Sequence, residues 1–457
     1  MKRITFHTAK RLTILLLTLA IASCATYRDR PIDAATAAAA LNRRSLADPR
    51  LLRFIAIEQR HSGPPRWNLD TLTLVATYER PDIPLATAEL GEAAAGEITA
   101  AELPNPTLSI MPTYNTTTTT PSPWTVGPAV SFLIQSFGSR SALIAQARAQ
   151  DEAARQAIAV TAWQLRGEMR TALLALWSAQ RSAALAARRL ALARQYRHAL
   201  AQRYGTGMIS AATLNTASLA QDQAGLQLAA DRRHVRLART GLAAALGLPS
   251  VALHGVVLDM TGISHPRHPG ELGPLIRAAL SKRPDVLAAL ARYAAAEAGL
   301  RLAIARQYPS IDLGPGYHYD QGDDKFILTV SLPVPILNQN QGPIAAARAA
   351  RRVAAEQFMA TQTQALAQIE RARTDWRASE AELVIAHRVC ASAASALARR
   401  RSAFAAGQIS RVRLLGAKQA FVQAERSALG ASVHERAALG ELEEALYHPF
   451  LVADGSR

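Results

Sequence analysis

The sequence predicts a mainly α-helical protein with a smaller β portion, built from one unit written twice. Three observations predict it. The two halves match each other at a nearly constant offset. Two long proline-free tracts carry a heptad pattern. Ahead of each tract lie segments of about ten residues with an apolar side chain at every second position. Composition agrees, because alanine, the strongest helix former, is about a fifth of the 457 residues. A hydrophobic content of 49% excludes a disordered chain, and two cysteines exclude a disulfide scaffold. Aromatic residues at 5% argue against a β-sandwich or propeller. The net charge of +17 raises nucleic-acid binding, which the N-terminus then weakens.

Lys2, Arg3, Lys10 and Arg11 precede an apolar stretch, Leu12 to Ala22, that is too short to span a bilayer. The pattern is that of a secretory leader, residues 1–23. It ends in Ile21-Ala22-Ser23-Cys24, which resembles the bacterial lipobox. That resemblance makes Cys24 the lipidation site and mature N-terminus, with acyl chains such as palmitate. Ala25, in place of Asp, resembles the outer-membrane sorting signal. Loss of the leader removes four cations and no acid, leaving +13 in a chain exported from the cytoplasm, so nucleic acid is not expected as a partner. No later segment holds eighteen uninterrupted apolar residues, so any membrane crossing falls to β-strands in a closed barrel.

Arg80-Pro81-Asp82-Ile83 matches Arg283-Pro284-Asp285-Val286 at an offset of 203, and Gly96/Gly299 and Pro106/Pro309 keep it. From Ser131/Ser331 the offset is 200, through Ile144/Ile344, Tyr204/Phe404, Gly207/Gly407, Ser210/Ser410 and Ala217/Ala417. A three-residue length difference therefore lies between Pro106 and Ser131. Each unit opens with a helix at the Arg-Pro-Asp motif, Pro81 to Leu103 and Pro284 to Tyr308, with proline where a missing N–H costs nothing. Strand-like alternation follows: Leu108, Ile110, Pro112 and Tyr114; then Trp124, Val126, Val130, Phe132 and Ile134; then Phe326, Leu328, Val330, Leu332 and Val334. Polar loops are expected at Asn115 to Ser122 and Asp320 to Lys325, and Pro333 and Pro335 weaken the last strand's end.

The helical tracts come next. Ala162, Leu165, Met169, Ala172, Leu176, Ala179, Ala183, Ala186, Leu190 and Ala193 form a heptad seam. Ala365, Ile369, Ala372, Trp376, Ser379, Leu383, Ala386, Cys390 and Ala393 form its counterpart, and Cys390 reads as a buried structural thiol. Gly205, Gly207 and Gly407 break each tract once, so each unit reads as strands leading into a long helical hairpin.

These residues resemble the outer membrane efflux proteins, the TolC-like outer membrane factors, and the lipoprotein branch in particular. The motifs are Arg-Pro-Asp; Tyr308-Pro309-Ser310-Ile311-Asp312-Leu313; Pro335-Ile336-Leu337-Asn338 through Gly342-Pro343-Ile344; Tyr204-x-x-Gly207; and Phe404-x-x-Gly407. The resemblance spans Leu72 to Pro449. It implies a homotrimer with a long α-helical barrel and a transmembrane β-barrel shared among three protomers. Four strands per chain cannot close a barrel, which independently requires several chains. The organisation expected is a lipid-anchored N-terminal segment at 24–70, which family precedent wraps around the helical tube, repeat 1 at 71–262, a linker at 263–270, repeat 2 at 271–449 and a tail at 450–457.

By the same resemblance, Tyr204, Gly207, Ser210, Phe404, Gly407 and Ser410 mark periplasmic tips where the adaptor (membrane fusion protein) docks. Family members often ring the closed pore with Asp past each turn. Here the positions hold Thr213, Thr216, Arg413 and Gly416, a departure that makes a basic constriction one reading of Arg413 and a solvent- or adaptor-facing side chain the other. His265-Pro266-Arg267-His268 suits no zinc motif and reads as a surface linker; no metal or cofactor is expected. No catalytic constellation stands out, so no enzyme is expected. The function implied is a passive exit duct in the outer membrane, serving an inner-membrane pump and its adaptor. The alternative is a lipid-tethered periplasmic coiled-coil adaptor or scaffold, and a weaker one is polyanion binding through the Arg-rich surface.

Overall fold

The computed structural model describes residues 26–60, 63–117 and 122–450. Cys24 and the leader lie outside the described residues. Residues 26–44 belong to a separate unit holding helix α1 (Ala34–Asn42), whose first turn is capped by Asp33 accepting from the Thr36 N–H at 2.8 Å.

The unit from Ser45 onward is the duplicated body. It begins with α2 (Pro49–Gln59) and α3 (Leu69–Glu79), and α4 (Asp82–Ala101) starts at the Arg-Pro-Asp motif. Four short strands follow: β1 (Thr107–Ile110), β2 (Thr113–Tyr114), β3 (Trp124–Val126) and β4 (Pro128–Ile134). The first hairpin is α5 (Ser139–Gly205) and α6 (Ala211–Ala245). A 3-10 turn and a single helical turn, α7 (Thr261–Ser264), lead into the second copy. There α8 (Leu272–Lys282), α9 (Pro284–Ala305), β5 (Ile311–Asp320), β6 (Asp323–Ser331), α10 (Gln341–Ala405) and α11 (Arg411–Leu446) repeat the order. At 67 and 65 residues, α5 and α10 are each about 100 Å long.

The structure adds a helix that the pattern does not show. The segments before the two Arg-Pro-Asp motifs fold as α3 and α8, equivalent in position. Leu69, Leu72, Val75 and Ala76 of α3 join Met169, Leu173, Leu176 and Leu246 in the largest core cluster. Ala279 of α8 packs with Ile369, Trp376, Leu439 and Leu442 in the second. Further toward the tip the core narrows to Ala186, Leu190, Ala193, Ala224 and Leu228. Small residues there let paired helices approach closely. Leu165, Met169, Leu176, Ala179, Ala186, Leu190 and Ala193 of the first seam are buried; Ala162, Ala172 and Ala183 are half-buried. In the second seam Ala365 to Ser379 are buried, but Leu383, Ala386, Cys390 and Ala393 are only half-buried. Cys390 is thus not the buried thiol expected: it sits half-buried between the buried Ser379 and the buried Leu397.

The sheet is one antiparallel layer. β1 and β2 pair in a common register with β4 and β3, and β3 and β4 in a common register with β5, which pairs with β6. Physically this is four strands, two of them interrupted around Met111-Pro112 and Gly127. In the second copy a two-residue turn, Gln321-Gly322, with φ of 53° and 120°, replaces the loop expected at 320–325, and β5 and β6 pair without interruption. The first connection uses 115–123 instead, and the longer strands of the second copy offset part of that extra length, leaving the three-residue difference. β6 stops at Ser331, so Leu332 and Val334 lie beyond the ladder, ahead of prolines that cannot donate to it. The opening helices likewise end at Ala101 and Ala305, short of the expected Leu103 and Tyr308.

Candidate functional site

Pairing and alternation assign every strand residue to a face. Leu108, Ile110 and Tyr114 share one face with Trp124, Val126, Val130, Phe132 and Ile134. Leu313, Pro315, Tyr317, Phe326, Leu328 and Val330 continue it. The opposite face carries Ser109, Thr125, Ala129, Ser131, Asp312, Gly314, Gly316, His318, Thr329 and Ser331. One face is thus mostly apolar, with Asp324 at its loop end, and the other mostly polar or small, interrupted by Leu133 and Ile327, close to the division a strand needs between lipid and water. The apolar side is bare in the single chain: Phe326 is 88% exposed. Aromatic rings gather at the loop end, where Tyr114 packs edge-on against Trp124 at 4.9 Å, as an interfacial belt requires. The sheet's two outer edges, on β1/β2 and β6, have no partner strand among the described residues.

At the other end of the molecule the two helical turns have the same geometry. The Gly207 N–H donates to the Tyr204 carbonyl (2.9 Å) and the Met208 N–H to that of Arg203 (2.9 Å). Gly407 donates to Phe404 (3.0 Å) and Gln408 to Ala403 (2.8 Å). Gly207 and Gly407 sit at φ 73° and 72°, a left-handed position that glycine adopts without strain. Ser210 and Ser410 then cap the return helices; the Ser210 Oγ accepts from the Thr213 N–H at 3.4 Å, whereas the Ser410 hydroxyl makes no such bond. The structure therefore brings Tyr204, Gly207 and Ser210 into one turn, and Phe404, Gly407 and Ser410 into its twin. Both rings are exposed. Thr213 and Thr216 spend their hydroxyls locally, on Ser210 (3.1 Å) and the Ala212 carbonyl (2.9 Å). Arg413 is exposed and forms no ion pair among the described residues; Gly416 is half-buried. No acid occurs between Glu382 and Glu425, so the second tip is strongly basic.

Between sheet and tips lies an anchor that the sequence shows only as a repeated tripeptide. Arg80 grips Asp82 with both arms (2.9 and 3.0 Å), and Arg283 grips Asp285 likewise (3.0 and 2.7 Å). The forks hold each carboxylate ready for the first helical turn, and the Arg80 bond keeps Asp82 below the usual carboxylate range. Arg80 also reaches Glu168 of α5 and the Ala245 carbonyl (3.4 Å). Arg283 reaches Gln368 of α10 (3.1 Å) and the Ala445 carbonyl (2.8 Å). In each copy one arginine ties three helices together and satisfies an orphan carbonyl at a helix C-terminus. Beside it, Arg170 of α5 pairs with the fully buried Glu443 of α11, and Arg166 Nη1 lies 2.6 Å from the other carboxylate oxygen. Burial, then Arg166, pushes Arg170 down to about 10, and burial pushes Glu444 up. Gly440 is required here, because a Cβ would stand 2.6 Å from Arg170 Nε. Of the linker histidines, His265 meets the Ser264 hydroxyl (2.9 Å), and His268 lies 4.0 Å from Glu380 of α10.

The model of the family described as "Outer membrane efflux protein" matches residues 75–248 and 275–446. Among characterised relatives, the cobalt-zinc-cadmium resistance protein CzcC of Cupriavidus metallidurans is 25% identical over 277 residues, which is 60% of this chain and 64% of CzcC. Two solved structures share the fold. The outer membrane protein VceC of Vibrio cholerae superimposes with a TM-score of 0.68 at 18% identity, over 84% of this chain and 96% of VceC. A membrane protein from Pseudomonas aeruginosa gives 0.69 at 20% identity, over 84% and 90%. Two matched segments covering both copies, on an architecture shared nearly end to end with VceC, establish that this chain belongs to the outer membrane efflux protein family.

Proposed function

We propose that the protein is the outer-membrane exit duct of a tripartite efflux system, anchored by lipid at Cys24 and assembled as a homotrimer. The observation that carries it is the open four-stranded sheet with a bare apolar face, mounted on helical hairpins about 100 Å long. Three copies supply twelve strands, enough to enclose an aqueous lumen. Their polar faces then line the water and their apolar faces meet lipid. An exposed apolar stripe on α10, including Val384, Ile385 and Val389, supports burial against a neighbouring protomer. This stripe belongs to the one described helix that is long and apolar enough to cross a membrane, and it is almost wholly uncovered in the single chain. A helix of 65 residues paired along α11 is far longer than the roughly 30 Å a bilayer core allows. A coiled-coil scaffold would leave the two-faced strands without a role.

On this reading the turns at Tyr204–Ser210 and Phe404–Ser410 receive the periplasmic adaptor, and the energy comes from the inner-membrane pump. Three copies of Arg413 around the axis form a basic constriction that disfavours cations. Single-channel recording of the trimer in a planar bilayer tests both points. The expected results are steady conductance with anion preference, and a shift toward cations in Arg413→Asp. A conductance-free protein would remove the duct. Cation selectivity in wild type, unchanged in Arg413→Asp, would remove the constriction.

A further inference from the structure

We propose that the groove where α5, α10 and α11 meet, some way up from the tips, binds a small amphiphilic anion. Its ligand would carry a carboxylate or phosphate head on an apolar body of several carbons. Each helix presents a cation next to an apolar residue on one face, three or four positions apart. α5 gives Arg188 and Leu192, α10 gives Leu397 and Arg401, and α11 gives Lys418 and Val422 beside Phe421. The groove holds about 270 Å³. Leu397 and Val422 are buried and form its floor, while Leu192 and Phe421 are half-buried walls.

The charges at the rim are available. Arg188 is engaged by Glu425 at 2.9 Å, but Arg401 and Lys418 form no ion pair or hydrogen bond among the described residues. The absence of acids from 383 to 424 leaves this field uncompensated along the chain. An apolar floor under a cationic rim rejects a plain apolar solute and a plain salt alike, and favours a molecule that is both.

The duplication shows that the hairpin fold does not demand these residues. Positions 401, 418, 421 and 422 correspond to Ala201, Ser218, Gln221 and Asp222 in the first copy. There both cations and the aromatic ring are missing, and an acid replaces the valine. The second copy alone has the groove's chemistry on the same backbone. All lining residues come from one chain, so the site stands or falls separately from trimerisation and conductance.

Octanoate, titrated calorimetrically into the full-length protein in nanodiscs with empty discs subtracted, tests the site. The expected result is saturable uptake of one octanoate per chain, weakened by high salt, with no saturable uptake of octanol. Arg401→Ala/Lys418→Ser writes in the first-copy residues and should weaken binding about tenfold or more. Phe421→Gln should weaken it with the charges intact. Circular dichroism checks that both variants keep their helices. Uptake no greater than by empty discs, equal binding by the double variant, or equal saturable binding of octanol would overturn the proposal.

Discussion

Glu443→Gln should destabilise the helical body by about 3–5 kcal/mol, read as a lowered denaturant midpoint of the helical signal in detergent. The carboxylate is fully buried between Arg166 and Arg170, and Arg170 is itself almost completely buried. Removing the negative charge leaves two cations facing each other away from water. Burial, then Arg166, already pulls Arg170 down to about 10 against the opposing pull of Glu444 and Glu435, so the neighbouring acids do not offset the loss of Glu443. The cost comes from the stranded charges rather than from one lost contact. Replacing the whole group, Arg166→Met/Arg170→Met/Glu443→Leu, should therefore recover much of the loss. Equal midpoints for wild type and Glu443→Gln would show that this cluster does not hold α5 to α11.

Leu328→Arg should cost about 2–4 kcal/mol in the membrane and sharply reduce the heat-modifiable assembly in outer-membrane fractions. Leu328 lies mid-strand on the apolar face, opposite Pro315. Thr329→Arg, one residue on and facing the other way, should insert normally, because strand side chains alternate. Equal loss from both changes would mean that the two faces are not divided between lipid and water.

Much of this architecture is legible in the sequence, for identifiable reasons. The repeat preserves Gly207 and Gly407 because each turn needs a left-handed residue, and a backbone demand of that kind survives divergence. The strand alternation is legible because Phe326, Leu328 and Val330 face one side together. The features that escape notice depend on tertiary distance. Nothing local marks Glu443 as the partner of Arg170, 273 positions earlier. α3 and α8 escape because each is only 11 residues long and their sequences share little beyond apolar spacing. The tight turn at Gln321-Gly322 hides among charged residues that read as a loop. Cys390 falls on the seam pattern, but heptad spacing gives the direction of a side chain and not how completely it is covered. The Arg-Pro-Asp repeat is visible as a motif, and only the structure shows it fastening α4 and α9 to the hairpins.

The central claim is that the sheet separates lipid from an aqueous lumen, and single cysteines along β6 in a Cys390→Ser background test it most directly. With a membrane-impermeant maleimide on whole assemblies, Lys325→Cys, Thr329→Cys and Ser331→Cys should label, while Phe326→Cys, Leu328→Cys and Val330→Cys should stay unlabelled. Uniform labelling, or labelling of the second set alone, would contradict the account.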